Sequence, residues 1–424
     1  MKSNRINIIS PILLLPLMLL FSSALKSQGV FTSPYSIYGM GTLYKNTHQV
    51  TMAFGGTPVA LSSPYFINHI NPASYTAFDS NSFVIDAGFH LRKGKLSNQT
   101  QSKSYTSGSI SNINFGFPVT KWWKFSLGVL PYSGIGYTIT EYVNTENVGN
   151  QKHVYVGDGG ISQAYLGSGF RIFKNLSVGF NLNYYFGKIE NSKAISFPDS
   201  VGYMNTANNL SIGVSKLFPE FGLQYRFNLN RDKYIQLGVK YSPAIDIKTS
   251  AEQLVYNFLE DIHDTVYYSV SEEKLIKLPQ NIGAGIAFGS SARWFVTANA
   301  LYQKWSEFVF LDKPELLKDS YDFSIGAQYR PSKIDVGRFF DRTYYRFGAN
   351  YELGYLYVNN KRINKFGISF GTGLPMRKTK STINIAIEVG SFGTENNGLI
   401  KDSYVKFTLG AALQERWFIK PKYF

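Results

Sequence analysis

The chain has 424 residues with no cysteine, 16% aromatic side chains and a formal net charge of +15 at pH 7. The missing thiols exclude a disulfide framework, a thiol nucleophile and a thiolate metal site. Lys and Arg are scattered along the chain instead of gathered in a run, which argues against nucleic acid as the partner.

Lys2 and Arg5 precede the apolar run 12–21, and Ser22, Ser23, Ala24 and Ser27 follow it. This is the pattern of a secretory signal peptide, expected to span 1–27, and the run is shorter than the roughly 20 apolar residues that a spanning helix needs. No other long apolar run occurs. A membrane location therefore requires a closed barrel, the other form that satisfies every backbone amide in lipid.

Residues 28–81 do not alternate cleanly, and they hold Phe54-Gly55-Gly56 and Ile70-Asn71-Pro72-Ala73-Ser74-Tyr75. Their apolar content predicts a hatch or plug inside a lumen instead of a trailing tail. Pro72 fixes φ and keeps Asn71 extended, Asn71 can bridge backbone groups in a bent segment, and Ala73 lets the backbone pass close to a wall. The plainer reading is an Asx-Pro turn.

From residue 82 to 424 the chain reads as an all-β transmembrane antiparallel barrel. About fourteen strands are predicted, at 82–97, 107–119, 123–142, 155–172, 175–189, 208–229, 233–248, 266–289, 292–306, 320–331, 342–353, 364–375, 380–393 and 403–418. The clearest is Leu176 to Phe186, where Leu176, Val178, Phe180, Leu182, Tyr184 and Phe186 share one face and Ser177, Gly179, Asn181 and Asn183 the other. The first face suits lipid and the second suits water. Short turns near 120–122, 174–175, 230–232 and 290–291 alternate with long polar segments near 143–154, 190–207, 249–265 and 307–319. That alternation places the long loops at one, outer end of a barrel. The segment 331–341 is too long for the turn expected there.

These features predict a cell outer-membrane location and a monomer whose basic surplus meets lipid headgroups and lipopolysaccharide phosphates. The chain ends on Phe424, an aromatic terminus suited to recognition by the barrel-assembly machinery.

Within the third predicted strand, Leu130-Pro131-Tyr132-Ser133-Gly134-Ile135-Gly136 interrupts the alternation. Proline deletes a ladder hydrogen bond and glycine permits a bulge. Pro131, Gly134 and Gly136 are thus either a lateral-gate candidate or the end of a strand at an aromatic girdle. In the outer segment after residue 248, Ser250 and Gln253 fit a capping box, and Leu254, Val255, Phe258, Leu259 and Ile262 recur at helical spacing. An amphipathic helix is expected there, either capturing a ligand or packing on the neighbouring loop. Phe295, Leu301, Arg330, Arg346, Glu388 and Lys406 fall on inward rows and are expected to line the lumen. The four charged residues there either brace the barrel or, through surplus positive charge, hold a carboxylate head group.

Catalysis has no sequence support. His48, His69, His90, His153 and His263 lack metal-ligand spacing, and there is no Gly-x-Ser-x-Gly elbow. No cofactor, metal or enzymatic activity is expected.

The Gly55-Gly56 segment followed by Asn71-Pro72-Ala73 resembles the hatch of the FadL-type outer-membrane channels for long-chain fatty acids and other hydrophobic compounds. Leu278-Pro279-Gln280-Asn281-Ile282-Gly283 and Tyr302-Gln303-Lys304-Trp305-Ser306 are similar to segments of that family's later strands. Ser33-Pro34-Tyr35-Ser36 departs from its usual start. The resemblance implies a hatch-plugged, fourteen-stranded barrel that takes up a small hydrophobic compound. It also implies a lateral opening at the kinked third strand and capture at the outer loops. The alternative is a barrel that moves no small molecule and serves protein secretion or surface attachment.

Overall fold

Prolines and alternation together decide where the chain pairs in the computed structural model. The structure describes residues 33–416 apart from 45–47, 57–58, 147, 200–201, 261, 291–292, 316, 333–337 and 377–378. The expected signal peptide and Phe424 lie outside the described residues. The strands are β1 (Ser82–Ser97), β2 (Ser102–Pro118), β3 (Trp123–Thr145), β4 (Gly149–Arg171), β5 (Leu176–Ser196), β6 (Asn205–Asn228), β7 (Lys233–Ser242), β8 (Ile245–Leu259), β9 (Ile262–Leu278), β10 (Asn281–Ser290), β11 (Trp294–Gln303), β12 (Ser320–Tyr329), β13 (Tyr344–Leu353), β14 (Lys365–Pro375), β15 (Thr382–Gly393) and β16 (Lys401–Arg416). All of these pairings are antiparallel. The sheet closes where β1 meets β16, from Ser82 opposite Arg416 to Ser97 opposite Lys401. β8 and β9 stand outside the ring, because β7 pairs directly with β10. The wall therefore has fourteen strands, an even number that leaves no edge in lipid.

Period-two patterning builds the two faces. On β5, Phe180, Leu182, Tyr184 and Phe186 are exposed toward lipid, while Asn181 and Asn183 are buried inside. On the last two strands Ile383, Ile387, Val389, Val405, Phe407 and Leu409 form the same outward rows.

Two expectations are corrected here. The predicted strands 233–248 and 266–289 each break, at Pro243 and Pro279, into a wall strand and half of an outer hairpin. Proline cannot donate to the ladder, so both joints fall where the chain leaves the ring. The expected helix over 250–262 is that hairpin, β8 paired with β9. β8 also continues the sheet from β6, whose Phe221–Asn228 stretch pairs with β7 while Asn205–Gly213 pairs with β8. A neighbouring strand edge with free backbone groups outweighed helical spacing in a segment rich in β-branched and aromatic residues. Glu260, at φ 50°, serves the tight turn between Leu259 and Ile262.

The expected long loops 143–154 and 190–207 are likewise largely strand. β3, β4, β5 and β6 run 23, 23, 21 and 24 residues, against about 9–11 needed to span a bilayer. With β8 and β9 they form a six-stranded curtain above one side of the ring. Its inner face is apolar: Ile135, Ile161, Tyr185, Ile189, Ile212, Ile247 and Ile276 pack with Met40, Trp305 and Phe308, which reach across from the N-terminal segment and the loop after β11. On the opposite rim, the long connection after β12 ends in the short helix Phe339–Arg342.

Candidate functional site

Described residues between 48 and 78 fill the ring, and their contacts with the wall are specific. Asn71 is fully buried; its Nδ2 donates to the carbonyls of Val59 at 2.7 Å and, across the wall, Val239 at 3.2 Å. Its Oδ1 accepts from the Ala73 amide at 3.2 Å, capping the short helix Pro72–Ala77. Tyr75 is 0% exposed and donates to Asn181 Oδ1 at 2.9 Å. The Val59 amide donates to Asn299 at 2.8 Å. Gly55, at φ 76°, donates its amide to Ser369 Oγ at 3.0 Å and lies against the backbone of Ala349. Gly56 closes the preceding turn through a bond to Thr51.

Sequence reasoning missed the strongest anchor. Asp86 on β1 is 0% exposed and accepts from His48 Nε2 at 2.5 Å, from Gln49 Nε2 and from the Ile67 amide at 3.2 Å. A buried carboxylate with several donors is strongly held, and removing it leaves those donors unsatisfied. The spacing signal that His48 lacks is replaced by a partner 38 residues on. Also missed was a band of inward wall glycines. A Cβ on Gly179 would strike Pro72, one on Gly222 would strike Asn71, and one on Gly238 would strike Val59. Gly326 and Gly348 admit Phe54 in the same way. Glycine here lets backbone lie on backbone.

The lumen candidates are all buried on the inner face. Phe295 meets Phe54 edge-on with ring centroids 5.3 Å apart. Arg346 donates to Gln328 at 3.0 Å and Asn384 at 2.7 Å, and its guanidinium sits over Phe54. Arg330 lies over the Tyr344 ring. Glu388 faces Lys406 across β15 and β16 and accepts from the Tyr404 hydroxyl at 2.7 Å. These contacts run between different strands of the wall.

Pro131, Gly134 and Gly136 come together at a seam. β2 and β3 pair only from Pro118 opposite Lys124 to Ile113 opposite Val129. Above that point β3 bulges between Pro131 and Ser133 while keeping β4 on its other side. Where β2 would continue, a strap from the N-terminal segment takes its place: Thr42 pairs with Gly134 and Leu43 with Ser133. The Tyr44 amide donates to the Tyr132 carbonyl at 2.8 Å, and the Gly136 amide to Ser36 Oγ at 3.3 Å. Behind the strap lies a cavity of about 160 Å³ bordered by Leu43, Tyr44, His69, Leu130, Pro131, Tyr185, Phe218 and Leu301, with the Glu220–Lys240 pair on one side.

The outer candidates are not gathered in this way. Leu254 and Phe258 alternate with Val255 and Leu259 along β8, so the two pairs face opposite sides. Ile262 is exposed just past the tip, on β9.

His69 faces the cavity from the plug, and loss of hydration there pushes its pKa down to about 3. The folded chain therefore keeps His69 neutral where an unfolded chain, with an ordinary value near 6.5, would bind a proton. Stability from this residue is complete above about pH 6.5 and is lost as pH falls toward 3. Denaturant midpoints of wild type should decline over that range more steeply than those of His69→Gln; parallel pH profiles would refute the assignment.

A closed fourteen-stranded ring with a filled lumen and an interrupted third strand defines a plugged outer-membrane β-barrel. Among solved structures the chain is similar to the CymD monoaromatic hydrocarbon channel, at 14% identity and TM-score 0.57, covering 88% of this chain and 98% of that one. It is similar to a Pseudomonas aeruginosa FadL homologue at 11% identity and TM-score 0.58, covering 90% and 100%. The P. putida toluene transporter TodX aligns at 14% identity and TM-score 0.55, over 89% and 100%. No curated protein matches. The family model described as BamG matches residues 8–424, and the chain belongs to that family.

Proposed function

We propose that this barrel admits a small hydrophobic compound through the apolar upper lumen and releases it sideways at the seam between β2 and β3. The observation that carries the reading is the seam itself: six residue pairs, then a strap that pairs with β3 at two residues in place of a strand. A cavity of about 150 Å³ is enough for a benzene ring, so the space of about 160 Å³ behind the strap, lined by Gln163, Glu220, Lys240 and Gln303 beside its apolar side chains, has the size of one ring or a short stretch of acyl chain. Two of the fold neighbours are described as a monoaromatic hydrocarbon channel and a toluene transporter, which agrees with that size. Residues 48–78 act as a fixed hatch, so passage goes around them through the wall. No cofactor takes part, and outer-membrane lipid with lipopolysaccharide surrounds a monomer.

The absence of native cysteine permits a clean test. In Leu43→Cys with Ser133→Cys, oxidation should lock the strap to β3. Uptake of labelled toluene by cells carrying the oxidised double variant should fall at least tenfold and return on reduction. Equal uptake in both states would exclude release at the seam.

The family's name favours a second reading, a barrel that serves the barrel-assembly machinery. In that case the oxidised double variant would still support assembly of other outer-membrane barrels, and toluene uptake would not depend on this protein at all.

A further inference from the structure

The curtain above the ring ends on an open edge. β9 pairs with β8 from Ile262 to Leu278, and its other side meets another strand only at Ile276 and Lys277, opposite Phe310 and Val309, among the described residues. From Ile262 to Ser271 the backbone there faces solvent. Such an edge is a template for another strand, and proteins generally blunt it with lysine, proline or polar side chains. Here it carries Val266, Tyr267, Tyr268 and Val270, exposed at 58, 51, 58 and 50%. Register shifts at Thr265/Tyr267 and Ser271/Lys274 bracket a regular stretch of five residues between them.

Charge identifies what fits. Between residues 249 and 273 there is no Lys or Arg, although the chain as a whole is +15. Glu252, Glu260, Asp264, Glu272 and Glu273 are all exposed on this hairpin. Two copies of the hairpin would bring like charges together across a new strand pair, which disfavours self-association. An anionic lipid surface is repelled for the same reason. A cationic strand gains from both the free backbone and the carboxylates.

We propose that the outer edge of β9 is a docking site for an extended, basic polypeptide segment of a partner, which adds to the curtain as a further strand. Main-chain hydrogen bonds would supply affinity, the Tyr267, Tyr268, Val266 and Val270 side chains would seat its alternate residues, and the acidic rim would select its charge. This site is independent of the seam and of any conduction through the ring.

The test uses the full-length barrel in a zwitterionic detergent with synthetic decapeptides that alternate valine with lysine or valine with glutamate. Hydrogen exchange read by mass spectrometry should show protection of 262–271 by the lysine peptide at low salt and not by the glutamate peptide. Changing Glu252, Asp264 and Glu272 together to Lys should weaken the lysine peptide at least tenfold and let the glutamate peptide bind. A lysine peptide methylated on alternate backbone nitrogens should lose binding while keeping its charge. Protection elsewhere on the barrel, equal binding of both peptides, or undiminished binding of the methylated peptide would each overturn the proposal. So would a barrel that is dimeric through this edge without peptide. The triple variant is confirmed as folded by its unchanged heat-shifted migration, since all three residues are exposed.

Discussion

Asp86→Ala is expected to release the plug from a ring that stays closed. The substitution strands His48, Gln49 and the Ile67 amide in a site where Asp86 itself has no exposed surface. Breaking a buried ionic or charge-assisted cluster by removing one partner costs about 3–5 kcal/mol. The wall does not share that loss, because β1 keeps its full ladder to β16. The purified variant should therefore keep a heat-shifted band on gels, yet be cut by protease between residues 48 and 78, where wild type resists. Cells carrying it should become at least tenfold more sensitive to a large polar antibiotic. Unchanged protease resistance would show that the glycine band alone holds the plug. Asp86→Asn retains an acceptor and should give a weaker form of the same phenotype.

Gly348→Val tests that band from another part of the ring, on β13. A Cβ there would fall inside contact distance of the Phe54 carbonyl carbon and the Gly55 nitrogen, both backbone atoms with nowhere to move. Overpacking of this kind costs about 1–3 kcal/mol when side chains can yield, and more when they cannot. The plug should fail to seat, with low yield of folded barrel and a leaky remainder. Gly398→Val is the control, since nothing lies within 4 Å of its Cβ position, although its φ of 71° costs some local stability. If Gly348→Val accumulates and excludes polar solutes like wild type, the plug does not depend on close backbone approach.

Much of the wall was legible because lipid imposes one rule on every strand. Phe180, Leu182, Tyr184 and Phe186 had to face one way, and a two-residue period records that directly. The strand number followed for the same reason. Height was not legible, because the chain above the membrane alternates too: the segment 190–207 reads as a polar loop, whereas β5 runs on to Ser196 and β6 starts at Asn205. The outer hairpin was misread since Leu254, Phe258 and Ile262 satisfy a helical period by accident, while Pro243 and Pro279 were present as signals of where the ring is left and rejoined. The interruption at Pro131 was visible, but the strap that answers it was not, because Thr42 and Gly134 are far apart in sequence. Asp86 was invisible for a similar reason: one carboxylate in a strand says nothing until His48 and Gln49 arrive from another part of the chain.

Gln49 has a position whose meaning concerns biogenesis. Its side chain touches Gly88 on β1 and Gly410 on β16 while donating to Asp86, so it straddles the joint at which the ring is completed. The first and last strands are more than 300 residues apart in the chain, and bringing them together is the slowest kind of contact for a polypeptide to make. A segment synthesised before either strand, and shaped to fit both, gives them a shared scaffold to zip along. Seating the plug would then hasten the closing of the cylinder, and a chain whose plug is loosened would reach the same closed ring more slowly, passing longer through an open sheet with two sticky margins.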